Sequence, residues 1–139
     1  MVVSAIRKTM KSALKNFAEK ENTNPKSIEV VIHTKSKEYA PEYFYMVNNV
    51  PKLQEDGQIK SVTFTEMLGK KFDLMNREFL AAQFLPTFFK ATSEEEKLEP
   101  KNMYIRIGTH SDDLSELSIE LSDNGSKVKN LKLEDIFIE

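Results

Sequence analysis

Apolar side chains recur every three or four residues in two long segments, which is the spacing of one face of an α-helix. In the first segment, residues 4–21, the recurring residues are Ile6, Met10, Leu14 and Phe17. Ser4 is the predicted N-cap, because its hydroxyl can accept a hydrogen bond from a free backbone N–H of the first turn. The helix is predicted to end before Pro25, since proline cannot continue the hydrogen-bond ladder.

The second helical segment, residues 76–92, is much more apolar than the first. Its large apolar residues cover more than half of the helix circumference and are Phe79, Leu80, Phe84, Leu85, Phe88 and Phe89. Such a helix is predicted to be buried on several sides, although an exposed part of it would offer a helix-to-helix dimer interface. Pro86 is predicted to kink or break it.

Six short segments have the composition or the alternation of β-strands. They are residues 28–33, 43–47, 59–64, 103–107, 117–121 and 128–133. The segment 43–47 is apolar on both faces, so we predict that it is an interior strand. A turn at Asp56-Gly57 precedes the third strand, and Asn124-Gly125 is a strong hairpin signal before the sixth.

The same order of elements occurs twice along the chain. Residues 27–34 are similar to residues 102–109, and residues 59–68 are similar to residues 128–137, with the Asp56-Gly57 turn matched to Asn124-Gly125. We interpret this as an internal repeat of a helix, three strands and a short helix. Copy one is predicted at about 4–70 and copy two at about 76–137. The alternative is a chance similarity between two αβββ segments.

The predicted fold class is therefore α+β. The duplicated αβββ(α) unit is expected to form a two-layer sandwich. In it, a mostly antiparallel sheet of about six strands carries the two long helices on one face. With 139 residues, the chain is predicted to be a single domain, 1–139.

Strand alternation places most apolar residues on one face of this sheet and charged residues on the other. Four apolar residues break that rule, because the opposite face of their strands is already apolar: Val31, Phe44, Met46 and Tyr104. They predict an apolar strip on the open face, which is typical of a self-association or partner surface. The alternative is that a loop, the second helix or segment 35–42 covers them.

The composition excludes several kinds of functional site. The chain has no cysteine, which excludes disulfides, thiol catalysis and Cys-based zinc sites. The first residues have no apolar core of signal-peptide length, and no apolar run is long enough for a membrane span. We therefore expect a cytoplasmic protein without a membrane partner. The sequence predicts no cofactor, because it contains no Gly-rich phosphate loop and no dinucleotide-binding fingerprint.

The net charge is −2, but basic residues predominate in residues 1–26 and acidic residues in residues 92–139. The outer face of the first helix is basic and carries Arg7, Lys8, Lys11 and Lys15. An αβββα unit is similar, at the level of fold only, to double-stranded-RNA-binding domains and to duplicated sliding-clamp domains. This similarity makes the basic face the alternative prediction, a nucleic-acid surface.

Two histidines, His33 and His110, lie near the ends of matched segments. This arrangement resembles the duplicated two-histidine phosphoesterases, in which each His is followed two residues later by Thr or Ser. Here Lys35 and Asp112 occupy those positions, so an enzyme of this kind is a remote alternative, and surface or strand-end histidines are the simpler interpretation. His110, Asp112 and Asp113 could offer metal ligands, but such a run is typical of a solvated turn. We predict no catalytic residues and no metal site.

The favoured function is therefore non-catalytic. We expect a protein–protein interaction or assembly factor that acts through a sheet-face or helix surface and binds another protein or itself as a homo-oligomer. Its interface is predicted at Val31, Phe44, Met46 and Tyr104. A small accessory factor, including one of viral origin, is compatible with this expectation.

Overall fold

The computed structural model describes residues 2–34, 38–63, 66 and 74–137, and only the backbone of residues 2 and 74–83. The helices are α1 (Val2–Lys20), α2 (Leu74–Glu96) and the short α3 (Leu133–Ile136). The strands are β1 (Ile28–Thr34), β2 (Pro41–Val47), β3 (Val50–Pro51), β4 (Met103–Gly108), β5 (Ser118–Asp123) and β6 (Ser126–Asn130). The chain is thus α+β, as the sequence predicts.

Helix α1 forms because its apolar stripe packs on the sheet. The four residues that define the stripe are all buried: Ile6, Met10, Leu14 and Phe17. The predicted N-cap is wrong, since the helix already includes Val2 and Ser4 lies inside it. The helix ends where Asn22 adopts a φ of 55°, a left-handed conformation that favours Asn and Gly after a helix.

Helix α2 is longer than predicted and continues through Pro86. Leu85 and Phe89 are buried in the core, and Phe84 and Phe88 pack against it while remaining partly exposed. The side chains of Phe79 and Leu80 lie outside the described residues. Packing of the described side chains on the core explains why one proline does not end the helix, because tertiary contacts compensate for the hydrogen bond it removes.

The six strands form one sheet in the order β3-β2-β1-β4-β5-β6, and all neighbours are antiparallel. The third predicted strand, 59–64, is wrong in its described part: residues 59 and 62 form only isolated bridges, with Leu53 and Tyr43. The strand at this edge is instead β3, which starts directly after β2. The sixth strand also starts and ends earlier than predicted, because Leu133 already belongs to α3.

One face of the sheet packs against helical side chains and forms the main core. This core combines Leu14 of α1 and Phe89 of α2 with strand residues Val30, Ile105 and Leu121, all of which are buried. The alternate strand positions point to the opposite face, which we call the open face. A second, separate apolar cluster lies there.

Residues 52–60 form a second hairpin beyond the sheet edge, which we call the outer hairpin. Leu53 and Ile59 are bridge partners, and the Lys60 N–H donates to the Lys52 carbonyl at 2.8 Å. Its turn is closed by Gly57, which has a φ of 84° and so occupies a region that side chains disfavour. The turn signal in the sequence is therefore correct, but it belongs to this hairpin and not to a sheet strand.

A hydrogen-bond network at the end of α1 holds the outer hairpin in place. Glu21 accepts a bond from Lys52 Nζ and another from the Tyr45 hydroxyl, each of 2.8 Å. These bonds, that of Lys52 first, lower the pKa of Glu21, so the carboxylate is ionised at neutral pH. Burial and the bond to Glu21 raise the pKa of Tyr45. The Tyr45 ring also stacks on Phe17, with centroids 4.1 Å apart.

Candidate functional site

The structure brings the four predicted interface residues together on the open face. Val31 and Phe44 are cross-strand partners in β1 and β2, and together with Met46 and the adjoining Tyr104 they form the second apolar cluster. The rings of Phe44 and Tyr104 make an edge contact with centroids 6.3 Å apart. Strand alternation in the sequence therefore identified residues that share one place in the fold.

The exposure expected of these residues is not observed. The exposed fractions of Val31, Phe44 and Met46 are 1 %, 4 % and 9 %, and Tyr104 is half-buried. Neighbouring side chains therefore cover most of the predicted strip. An interface through these residues remains a prediction, and all four line one groove. We call these four residues the groove floor.

His33 contributes to the cover of the groove floor. Its ring stacks on Tyr104 with centroids 5.5 Å apart and meets the edge of Phe44 at 5.1 Å. Its Nε2 lies 3.6 Å from a carboxylate oxygen of Glu42. His33 is buried next to the end of β1, so of the two simpler interpretations it is a strand-end histidine and not a surface one. Aromatic neighbours on two adjacent strands bury it, and sequence periodicity does not reveal such cross-strand contacts.

The groove above this floor has a volume of about 250 Å³. Pro51 and Ile59 border it on the side of the outer hairpin, and the β5–β6 turn borders it on the other side with Asn124 and Gly125. Arg106 and Ser122 complete the lining. The groove therefore has an apolar floor, one apolar wall and one wall made largely of backbone and small polar groups.

An apolar ridge stands beside the groove. Among the residues that the structure describes, three large apolar side chains are exposed: Val50 by 60 %, Leu53 by 49 % and Ile59 by 42 %. Leu53 and Ile59, which are bridge partners, form the ridge, whereas Val50 pairs with Val47 and so points to the other face of the sheet. Ile59 belongs to both the ridge and the groove wall. Sequence reasoning missed this ridge. The available signal was the placement of Leu53 and Ile59 on either side of a polar turn.

No protein-family model, no curated protein and no solved structure matches this chain.

Arg106 links the groove to a polar pocket on the same face. Its guanidinium donates two hydrogen bonds to the Glu29 carboxylate, of 2.9 and 2.6 Å, and lies 3.8 Å from Glu120. A further bond of 3.3 Å reaches the side-chain oxygen of Asn49. The bond to Glu29 raises the pKa of Arg106. The Arg106 guanidinium thus binds two carboxylates within the fold, so few of its N–H groups are left to bind an external anion.

The polar pocket has a volume of about 280 Å³ and is lined by Lys26, Glu29, Arg106 and His110, among others. His33 does not line it, so the two histidines do not meet in this pocket. Asp112 accepts a hydrogen bond from Asn24 and pairs with Lys26, contacts that lower its pKa. Among the described residues, no group of three or more His, Asp or Glu side chains is placed to hold a metal ion.

The alternative site, the basic face of α1, is also formed. Lys8 and Lys15 are exposed and Lys11 is half-buried, and none of the three has an ion-pair partner within the described part of the chain. Arg7 differs, because it pairs with Glu134 of α3 at 3.2 Å. The three lysines thus form a helical stripe, whereas the charge of Arg7 is partly neutralised by the fold.

In the described ranges, no helix has both the length and the apolar character needed to cross a membrane. Even α2, with 23 residues the longest described helix, does not have that character.

Proposed function

We propose that this protein is a non-catalytic protein–protein interaction factor that acts through the groove and the apolar ridge of its open sheet face. One observation carries the proposal. Two of the exposed large apolar side chains, Leu53 and Ile59, are cross-strand neighbours on the outer hairpin, and Ile59 borders a groove with an apolar floor. Exposed apolar surface that adjoins a concave site is typical of a protein-binding surface. We expect the protein to act in the cytoplasm on a protein partner or on itself.

The dimensions of the groove support a side chain as the occupant. An apolar cavity of about 150 Å³ accepts a benzene molecule, so a groove of about 250 Å³ has room for one or two apolar side chains. The open sheet face is also a better candidate than the helix surface. The described aromatic residues of α2 pack on the core, and Phe84 contacts the ring of Phe137 with centroids 6.1 Å apart.

Site-specific photo-crosslinking tests this proposal. A photoreactive benzoylphenylalanine in place of Tyr104, on the groove floor, is expected to give discrete protein adducts in cells that express the chain. The same group at Glu19, an exposed position of α1, serves as the matched control and should give none. Adding Ile59→Lys should remove the adducts at position 104. If position 104 yields no protein adduct, the proposed function is wrong.

We further propose that the chain is an internally duplicated unit, with both long helices over the same sheet face. The strand order supports this, because β1 and β4 pair at the centre of the sheet and the remaining strands follow in mirrored order. Val31 and Arg106, which the repeat matches to each other, are cross-strand partners. A two-fold axis through this pair would relate the two halves.

Local hydrogen bonds support the same relation. A short turn beginning Pro-Lys precedes both central strands, at Pro25–Ser27 and Pro100–Asn102. The Asn48 N–H donates to the Ser27 carbonyl, and the Asn124 N–H donates to the Asn102 carbonyl, each at 2.8 Å. The turn equivalent to Asn124-Gly125 is then Asn48-Asn49, where both φ angles are also positive. In this alignment, Asn124-Gly125 is matched to Asn48-Asn49 and not to Asp56-Gly57.

Under this alignment, the outer hairpin is extra to copy one. Val62 donates to the Tyr43 carbonyl as Leu131 donates to the Ile119 carbonyl, both at 2.8 Å, so the two copies are equivalent again after the hairpin. The first copy has more residues between these points than the second. The hairpin that carries Leu53 and Ile59 is thus an addition that the repeated fold does not need.

Nucleic-acid binding is the second candidate, supported by the lysine stripe of α1. We expect weak retention of the protein on heparin at low salt, because exposed lysines release counterions on binding phosphates. Replacing Lys8, Lys11 and Lys15 by Glu should abolish retention. A triple substitution of Lys101, Lys127 and Lys129, which are exposed elsewhere, is the control for net charge. Equal losses in both variants would contradict a specific basic surface.

A further inference from the structure

We propose that the occupant of the groove is the apolar ridge of a second copy of this chain, in a two-fold symmetric dimer. The inference rests on the proposed function and names its partner. In this arrangement, Leu53 and Ile59 of each copy enter the groove of the other. Each molecule then provides both halves of the contact, as a two-fold interface requires.

The ridge and the groove match in chemistry and size. The ridge presents aliphatic side chains, and the floor presents aliphatic and aromatic ones. An apolar cavity of about 150 Å³ accepts a benzene molecule, so a groove of about 250 Å³ has room for one or two aliphatic side chains. The groove is open, so entry of the ridge needs no unfolding of the floor.

The position of Ile59 favours a symmetric arrangement. Ile59 borders the groove of its own molecule and is also exposed on the ridge. A ridge from a second copy that enters this groove therefore lies against Ile59 of the first copy. Two-fold symmetry then places the two outer hairpins side by side above the two grooves, and Leu53 and Ile59 of both copies are buried in one contact.

The charges on the tip of the outer hairpin and beside the β5–β6 side of the groove are complementary. The tip of the outer hairpin is acidic and exposed, at Glu55 and Asp56. On the opposite side of the groove, Lys127 is exposed and is the cross-strand partner of Ser122, which lines the groove. A ridge in the groove of a second copy would direct its acidic tip towards this lysine. The net charge of −2 adds little long-range repulsion between copies.

Sedimentation equilibrium of the purified full chain tests the inference. We expect a reversible dimer. Ile59→Lys should raise the dissociation constant of this dimer by at least about 30-fold, as expected for the loss of a central apolar contact. Asn16→Lys is the matched control, because it adds the same charge at an exposed position of α1, outside the groove and the outer hairpin. A chain that stays monomeric at its highest soluble concentration overturns the inference, as does a dimer that Ile59→Lys leaves unchanged.

A charge exchange tests the geometry. Glu55→Lys and Lys127→Glu should each weaken the homodimer by about ten-fold, because each places like charges in contact twice. A mixture of the two variants should form a heterodimer of wild-type affinity, since both contacts are then attractive. A mixture no tighter than either variant alone overturns the two-fold arrangement.

These outcomes are distinct from failure of the proposed function. If the chain is monomeric but position 104 crosslinks to a different protein, the open face binds a partner and the second copy is the wrong occupant. If position 104 crosslinks to no protein at all, both proposals fail. A crosslinked species of twice the chain mass, lost in Ile59→Lys, supports both.

Discussion

Replacing Phe44 by Ala is expected to lower the free energy of unfolding by about 3 kcal/mol, the lower end of the range for Phe-to-Ala changes in cores. The ring is 4 % exposed and contacts His33 and Tyr104 through their rings, so its removal leaves a cavity beneath the groove. The loss is smaller than for Phe89 of the main core, because the groove lets water and neighbouring side chains fill part of the space. Urea denaturation followed by circular dichroism measures both changes.

Ile59→Ala is the control for this comparison. Ile59 lines the same groove but is 42 % exposed, and we expect a change of at most about 0.5 kcal/mol, as for other surface positions. A loss below about 1 kcal/mol for Phe44→Ala would show that the groove floor is not packed. A polar substitution of Phe44 is thus a poor test of binding, because loss of association would follow from loss of folding.

Replacing Arg106 by Met is expected to destabilise the protein by about 2 kcal/mol, within the range for hydrogen bonds to charged groups. The side chains of Arg106 and Glu29 are only 22 % and 23 % exposed. Removing the cation leaves Glu29 and Glu120 close together without their shared partner, in a site that solvent screens only in part. Thermal unfolding at neutral pH and low salt measures the effect.

A double-mutant cycle with Glu29→Gln isolates this pair. We expect Glu29→Gln to recover part of the stability lost in Arg106→Met, because it removes one of the two unpaired charges. Lys129→Gln is the control, since Lys129 and Glu96 form a more exposed pair whose contribution should be at most about 1 kcal/mol. Equal effects at both pairs would contradict a special role for Arg106.

The predictions for Phe44→Ala and Arg106→Met concern two parts of the open face. Phe44 maintains the groove floor, and Arg106 maintains the border between the groove and the polar pocket. In the proposed dimer, both residues line the groove that receives a second copy. The residues that enter it are on the outer hairpin, whose position relative to α1 depends on the hydrogen bonds between Glu21, Lys52 and Tyr45.

Part of the candidate site could be predicted from residue order alone. The period of two in β1, β2 and β4 placed Val31, Phe44, Met46 and Tyr104 on one face, because alternate side chains of a strand point the same way. Their burial could not be predicted, since it depends on which neighbours lie across the strands. The ridge was missed for a related reason: Leu53 and Ile59 are separated by polar residues and become neighbours only when the hairpin closes.

The sequence by itself determined the α+β class, the two long helices and most strands, because periodicity records which side of an element is buried. It also supplied the Asn124-Gly125 turn, since few residues tolerate two successive positive φ angles. Only the tertiary structure decided the antiparallel pairing of β1 with β4, the position of β3 and the burial of His33. These depend on contacts between residues far apart in the chain, and local propensity carries no information about such contacts.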